Sequence, residues 1–445
     1  MIPYRTILSF FLILFFQHVT ICVWSETDTV VRDTFTLGQH YFQLEQYDKA
    51  LSAFDAVRKQ APSSVIYCYI GMVMQEQNRL SDAVEAYKNA LTFKASPQIH
   101  CSAHLHLGIV FKAQGKLKHA ETHLRESLTL NPDTPEAHIH LGELFLLQRK
   151  YEKAIYEYRK SIDLNPNFIE SYYGLGRLAE MQRDYISATE YFRKAISHNP
   201  YDPMLHYRIA LVYRKLKKYE DSRAAMVQFE RMKSYSDNVH RFRETIYKNP
   251  RLPILYVKLG ELHERHDNFA DAQRVYEIAT KIHPTFTPVY HRLGLIYING
   301  RDLQKAKSVY QKVTEIDPDN VHAWLKLGVI EINLKQFDSA ISAFKQAITV
   351  DETSAEAYNN LARLYAGLGT NTTLAIKYAK KAVELSPTPK HYDTLAYTYY
   401  HNAQFGEALD AINRALSISA DVPAYVNMRT KIQFAIKEKK NGTRE

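Results

Sequence analysis

Small side chains recur through this chain at a nearly constant interval. Gly38, Gly71, Gly108, Gly142, Gly176, Ala210, Gly260, Gly294, Gly328, Ala362 and Ala396 are separated by 33, 37, 34, 34, 34, 50, 34, 34, 34 and 34 residues. Twelve positions after each comes a second small residue, from Ala50 and Ala83 through Ser222 to Ala306, Ala340 and Ala408, with Ala375 one position late. Four positions further on stands a larger side chain, such as Phe54, Tyr87, Tyr158, Phe192, Tyr276, Tyr310 or Phe344. Prolines 62, 132, 166, 200, 250, 284, 318 and 387 fall at the ends of units. A period of this length is the mark of an array in which each unit is completed by its neighbours.

Thr287–Asp319 shows what one unit is. Tyr290, Leu293, Gly294 and Tyr297 share one helix face, and Ala306, Val309, Tyr310 and Val313 share another. Gly300-Arg301-Asp302 reads as a tight turn between them, and Pro318 closes the second helix. Small residues let two helices approach to about 8–10 Å, and an aromatic ring fills the hole beside them. Val/Ile/Thr-rich alternating runs are missing, so the expected class is all-α. At 445 residues the chain is longer than a single compact core supports, in keeping with an array.

The rhythm breaks once. Between Ala210 and Gly260 there are 16 extra residues, and Asp237–Pro250 resembles the second half of a unit with no first half before it. The spacing predicts an additional helix, with a kink or hinge, over 236–252, dividing units one to six (31–235) from units seven to eleven (253–421). Residues 422–437 are predicted to cap the last open face, and 438–445 to form a frayed, charged tail.

The phased residues resemble the tetratricopeptide repeat, whose signature of aromatic, Leu-Gly, Tyr, Ala, Phe, Ala and Pro recurs every 34 residues. Tyr290, Leu293, Gly294, Tyr297, Ala306, Tyr310 and Pro318 fit it, with Val313 in place of the last alanine. The resemblance covers eleven units and implies a right-handed superhelical solenoid whose concave groove holds protein partners.

Other segments set the compartment and exclude activities. Arg5, the apolar run Ile7–Phe16 and the small residues before a cleavage point after Ser25 read as a signal peptide over 1–25, or as an N-terminal anchor. The chain is therefore expected to be exported, to the periplasm, the exterior or a secretory pathway. Bulky Ile21 before Cys22 argues against lipidation, and Cys68 and Cys101 are expected as buried thiols. Asn371 and Asn441 begin glycosylation sequons, which carry meaning only in organisms that use them.

Gly174-Leu-Gly-Arg-Leu-Ala179 imitates a dinucleotide-binding string, but Gly176 is a contact glycine and no strand precedes it. His104 and His106, echoed by His138 and His140, form parallel ladders, with His119 and His123 on the other helix; no metal site is expected. No catalytic motif or catalytic domain is evident, so no enzyme activity and no cofactor is expected. The balance of 57 basic to 48 acidic residues is too mild, and too interspersed, to point to nucleic acid.

The first-helix residues that turn away from the core are the candidate site. In unit eight they are His291, Arg292, Leu295, Ile298 and Asn299. Unit nine supplies Leu325, Lys326, Val329, Ile332 and Asn333, and unit ten supplies Asn359, Asn360 and Arg363. Arg208, Lys258, Arg292 and Lys326 hold one position in successive units. Repeats stacked about 10 Å apart match about three residues of extended peptide, so this column predicts capture of spaced carboxylates. The chaperone-binding members of the resembled family clamp carboxylates in a similar way. The asparagine ladder of its sugar-transferring members is matched here only at Asn360.

The favoured expectation is a non-catalytic adaptor for a protein or peptide segment. The alternative is an envelope accessory of a membrane-associated complex for polysaccharide synthesis or export, reading saccharide through Tyr173, Tyr207, Tyr397 and Tyr400.

Overall fold

A computed structural model describes residues 29–441; the expected signal segment, 1–25, lies outside the described residues. Eleven helix pairs follow one another from Thr29–Gln43 with Tyr47–Gln60 to Pro389–His401 with Phe405–Ile418, and a last helix, Pro423–Asn441, follows them. No strand occurs among the described residues. The chain is an all-α solenoid, divided into two compact units between Asn249 and Pro250.

Packing inside each pair follows the size of the contact residue. A Cβ placed on Gly38, Gly71, Gly142, Gly176, Gly260, Gly294 or Gly328 would lie within 3 Å of Phe54, Tyr87, Tyr158, Phe192, Tyr276, Tyr310 or Phe344, respectively. Gly108 stands in the same relation to Leu124. The three alanines share clusters with slimmer or more flexible partners: Ala210 with Met226, and Ala362 and Ala396 with Ala379 and Ile412. The string around Gly174 is accounted for in the same way, because Gly174 and Gly176 make room for Tyr158 and Phe192.

The turn between the helices is equally regular. Seven positions after each contact residue the backbone is left-handed, at Glu45, Asn78, Gly115, Arg149, Arg183, Lys217, Asp267, Arg301, Lys335, Gly369 and Ala403. In repeat eight the Arg301 amide donates to Ile298 O at 3.0 Å and the Asp302 amide to Tyr297 O at 2.9 Å. This pattern ends the first helix by satisfying its last carbonyls. Asp302 then caps the second helix by accepting from the Lys305 amide.

Two expectations are corrected. The segment 236–252 holds no separate helix, because the second helix of repeat six runs unbroken from Tyr219 to Lys248. No proline or glycine interrupts it before Pro250, and its polar residues Ser234, Ser236 and Asp237 lie on an exposed face. Its far end returns to the first repeat: Arg243 pairs with Glu45, and the Tyr247 hydroxyl donates to Asp48 at 3.1 Å. The tail prediction is corrected for 438–441, where the last helix continues; 442–445 lie outside the described residues. Cys68 and Cys101 are buried free thiols. Among the described residues no helix is long and apolar enough to cross a membrane.

Candidate functional site

Several first helices of consecutive repeats touch one another, including Ile254–Glu264 with Thr287–Asn299, whereas successive second helices do so less, which makes the first-helix side the concave one within each unit. At 3.6 residues per turn, His291 and Ile298 lie only about 40–60° around the helix from Gly294, while Leu295, Asn299 and Arg292 lie about 100–160° away. The second unit behaves accordingly. Leu295 is 39% exposed, and Asn299 is exposed. Ile298 is half-buried. His291 is a correction: its ring packs against Tyr310 at 5.8 Å and His322 at 5.6 Å, between repeats rather than in the groove.

Repeat nine repeats the pattern with Val329 at 42% exposure. Ile332 is half-buried against the core, and Leu325 is buried within it, so Leu325 contributes no free apolar surface. Asn333 donates to its own Val329 carbonyl at 2.8 Å. In repeat ten Asn359 is buried and donates to Asn360 at 3.5 Å, and Asn360 is half-buried.

The basic column is largely neutralised from within. Arg292 pairs with Glu261 and lies 3.7 Å from Glu264, both on the preceding first helix. Arg363 pairs with Asp393 at 3.0 Å and stands 4.8 Å over the Tyr397 ring. Arg208, which belongs to the first unit, faces Glu180 at 3.8 Å. Among the described residues, Lys258 and Lys326 have no carboxylate oxygen within 4.0 Å. Lys258 is exposed and Lys326 half-buried. Two cations, two repeats apart, therefore remain where four in register were expected.

The first unit places different chemistry at the same positions. His106 is buried and stacked on Tyr87 at 5.1 Å, and burial pushes its imidazole down to about 3. Burial also lowers His140, helped by the Lys112 ammonium 3.0 Å away. Burial opposes ionisation of Glu143, but Lys112 and His140 outweigh it and hold the carboxyl well below the usual range. The aromatics expected to read saccharide are engaged as well. Tyr173 packs on Phe192, Tyr207 on Phe229, Tyr397 under Arg363 and beside His401, and Tyr400 against Phe405.

An acidic set that the sequence pattern did not single out lies at the starts of first helices. Burial pushes the Glu170 carboxyl up to about 7, with repulsion from Glu143, Glu136 and Asp202 adding to it. Its folded value lies above the ordinary carboxylate value, so folding takes up a proton between about pH 4.5 and 7. Stability falls as pH rises through that window and the loss levels off above it. Glu170→Gln is expected to flatten this slope, adding about 1–2 kcal/mol near pH 8 and little near pH 4. Urea midpoints at the two pH values measure it.

The expectation that the histidines stay apart fails at one place. His104 and His123 meet across the two helices of repeat three, with Glu126 beside them.

Comparison with known proteins agrees with the repeat geometry. Tetratricopeptide-repeat models match residues 102–134, 287–320 and 355–389, and also 35–98 and 172–235. A TPR-repeat model matches 142–182 and 330–369. No curated protein matches the chain. Among solved structures it is similar to YrrB, a TPR protein with an unusual peptide-binding site, at 19% identity over 42% of this chain and 97% of that one, with a TM-score of 0.37. It is similar to yeast Tom70 at 16% identity over 93% of this chain and 97% of that one, with a TM-score of 0.36. MamA from Desulfovibrio magneticus RS-1 is 20% identical over 38% of this chain and 97% of its own, with a TM-score of 0.35. Matched segments from 35 to 389, in phase with helix pairs built on one contact rule, place the chain in the tetratricopeptide-repeat family, whose members are in general protein-interaction scaffolds.

Proposed function

We propose that this chain is a non-enzymatic scaffold whose second unit holds an extended, acidic peptide along the first helices of repeats seven to nine. The observation that carries this reading is the pairing of exposed apolar residues with unneutralised lysines. Leu295 and Val329 stay exposed on adjacent first helices, and Lys258 and Lys326 lack carboxylate partners among the described residues. Apolar surface that the core does not use favours a peptide's side chains, and the lysines favour its carboxylates. Two repeats span about 20 Å, which is about six residues of extended chain. The preferred ligand therefore carries two acidic residues about six positions apart with apolar residues between them.

Arg292 acts differently. Held by Glu261 and Glu264, it joins repeats seven and eight and leaves ligand charge to the lysines. The envelope alternative has less support, because the four aromatics assigned to saccharide are packed against other side chains.

Selection of a random-peptide library on the purified chain tests the reading. The enriched sequences are expected to show the acidic spacing. Lys258→Glu combined with Lys326→Glu is expected to weaken a selected peptide at least about tenfold, or about 1.4 kcal/mol. Undiminished affinity in that double variant would remove the lysines from the site.

A further inference from the structure

The geometry points to a binding site for a divalent transition-metal ion of the Zn²⁺ class between the two helices of repeat three, with His104 Nδ1, His123 Nδ1 and Glu126 Oε2 as ligands. His104 lies on the helix Pro97–Ala113, and His123 and Glu126 lie one turn apart on Leu117–Leu130. The three atoms close a small triangle. His104 Nδ1 is 3.0 Å from His123 Nδ1, and Glu126 Oε2 is 2.8 Å from the first and 2.9 Å from the second.

With Glu126 ionised, no placement of protons on the imidazoles satisfies that triangle. If both imidazoles donate to Glu126, two N–H groups face each other at 3.0 Å. If one imidazole donates to the other, the acceptor's lone pair is spent and its remaining contact with Glu126 sets acceptor against acceptor. In line with this, Glu126 Oε2 is buried and makes no hydrogen bond of acceptable geometry. A cation at the centre converts all three contacts into attractions, because each atom then presents a lone pair to it.

The distances agree with the chemistry. Ligands about 2.1 Å from an ion lie about 3.0 Å apart at a right angle and about 3.4 Å apart at the tetrahedral angle. The observed edges match the first arrangement, which leaves the far side of the ion open to water; a tetrahedral ion requires only a few tenths of an ångström of opening. Two imidazoles and one carboxylate suit Zn²⁺ or Co²⁺, whereas Mg²⁺ and Ca²⁺ prefer oxygen alone. The site is also braced and reachable. The His123 ring stacks on Phe111 at 5.4 Å and 10°, and Glu126 keeps 46% of its side chain exposed. In repeat four, the matching position holds only the pair His138 and Glu157, 2.7 Å apart, so the triad is particular to repeat three among the described residues.

Zn²⁺ alone, titrated calorimetrically into the full chain after chelator treatment and without a polyhistidine tag, tests the site. One equivalent is expected to bind at micromolar or lower concentration and to raise the melting temperature. Co²⁺ is expected to give a visible absorption band that Zn²⁺ displaces. His104→Ala and His123→Ala are each expected to weaken the equivalent at least about tenfold, with circular dichroism confirming folding, while His138→Ala leaves it unchanged. Should an alanine variant fail to fold, Glu126→Gln keeps the side-chain shape and is expected to show the same loss. Absence of a saturable equivalent in the unaltered chain overturns the proposal. So does an equivalent that persists in folded His104→Ala and His123→Ala, or in Glu126→Gln.

Discussion

Replacing Gly260 by alanine is expected to destabilise the second unit by about 3 kcal/mol, towards the upper end for an overpacked core. The added Cβ would lie 2.0 Å from Tyr276 Cε1 and 2.2 Å from its Cζ. Tyr276 has nowhere to withdraw, since it is fully buried and its hydroxyl donates to Glu264 at 2.5 Å. The better helix propensity of alanine returns only about 1 kcal/mol. The first unit suggests the control, because in repeat six the contact residue is already alanine and its partner is the flexible Met226. In a Tyr276→Met background, Gly260→Ala is expected to cost less than about 1 kcal/mol. Urea midpoints of the four proteins measure the coupling, and equal costs in both backgrounds would contradict the size rule.

Tyr158→Ala is expected to cost about 3–5 kcal/mol, the range for deleting a buried aromatic ring. Tyr158 is 1% exposed and serves two repeats at once. The Cβ positions of Gly142, in its own repeat, and Gly174, in the next, fall 2.8 and 2.3 Å from its ring. Truncation therefore empties the joint between repeats four and five as well as the core of repeat four. Amide exchange is expected to accelerate in Ile169–Met181 before it does in repeats further along. Tyr158→Phe keeps the ring and is expected to stay within about 1 kcal/mol. An alanine variant with an unchanged exchange pattern would count against the joint.

These two sites also mark what could be read from sequence. Glycine and aromatic at a spacing of 16 residues is a contact made inside one helix pair, and helical periodicity reports such contacts directly. Eleven repeats and their contact residues were legible for that reason. The groove was legible only in part, because long charged side chains choose partners across repeats. Arg292 found Glu261 and Glu264 on the preceding first helix, and Arg363 found Asp393 on the following first helix, and no periodicity states which way they reach. His104 and His123 were missed for a different reason. Equal positions in successive repeats drew attention along the array. The informative register was across the pair: His104 lies four residues before Gly108, and His123 three after Ala120, both facing the opposite helix. The unbroken helix over 236–248 shows the limit of pattern alone, since polar residues weaken the stripe without ending the helix.

In an open array each repeat answers only to its neighbours, so unfolding can begin at the free end and proceed inward. The long helix of repeat six changes that rule for the first unit. Arg243 and Glu45 meet across 198 residues of chain, and Tyr247 and Asp48 across 199. Individually such contacts are worth about 1 kcal/mol or less. Their effect lies in the topology, because detaching repeat one now also releases the end of repeat six. The two outermost repeats of this unit are thereby coupled by the small amount these contacts are worth, a link between the ends that an open row lacks.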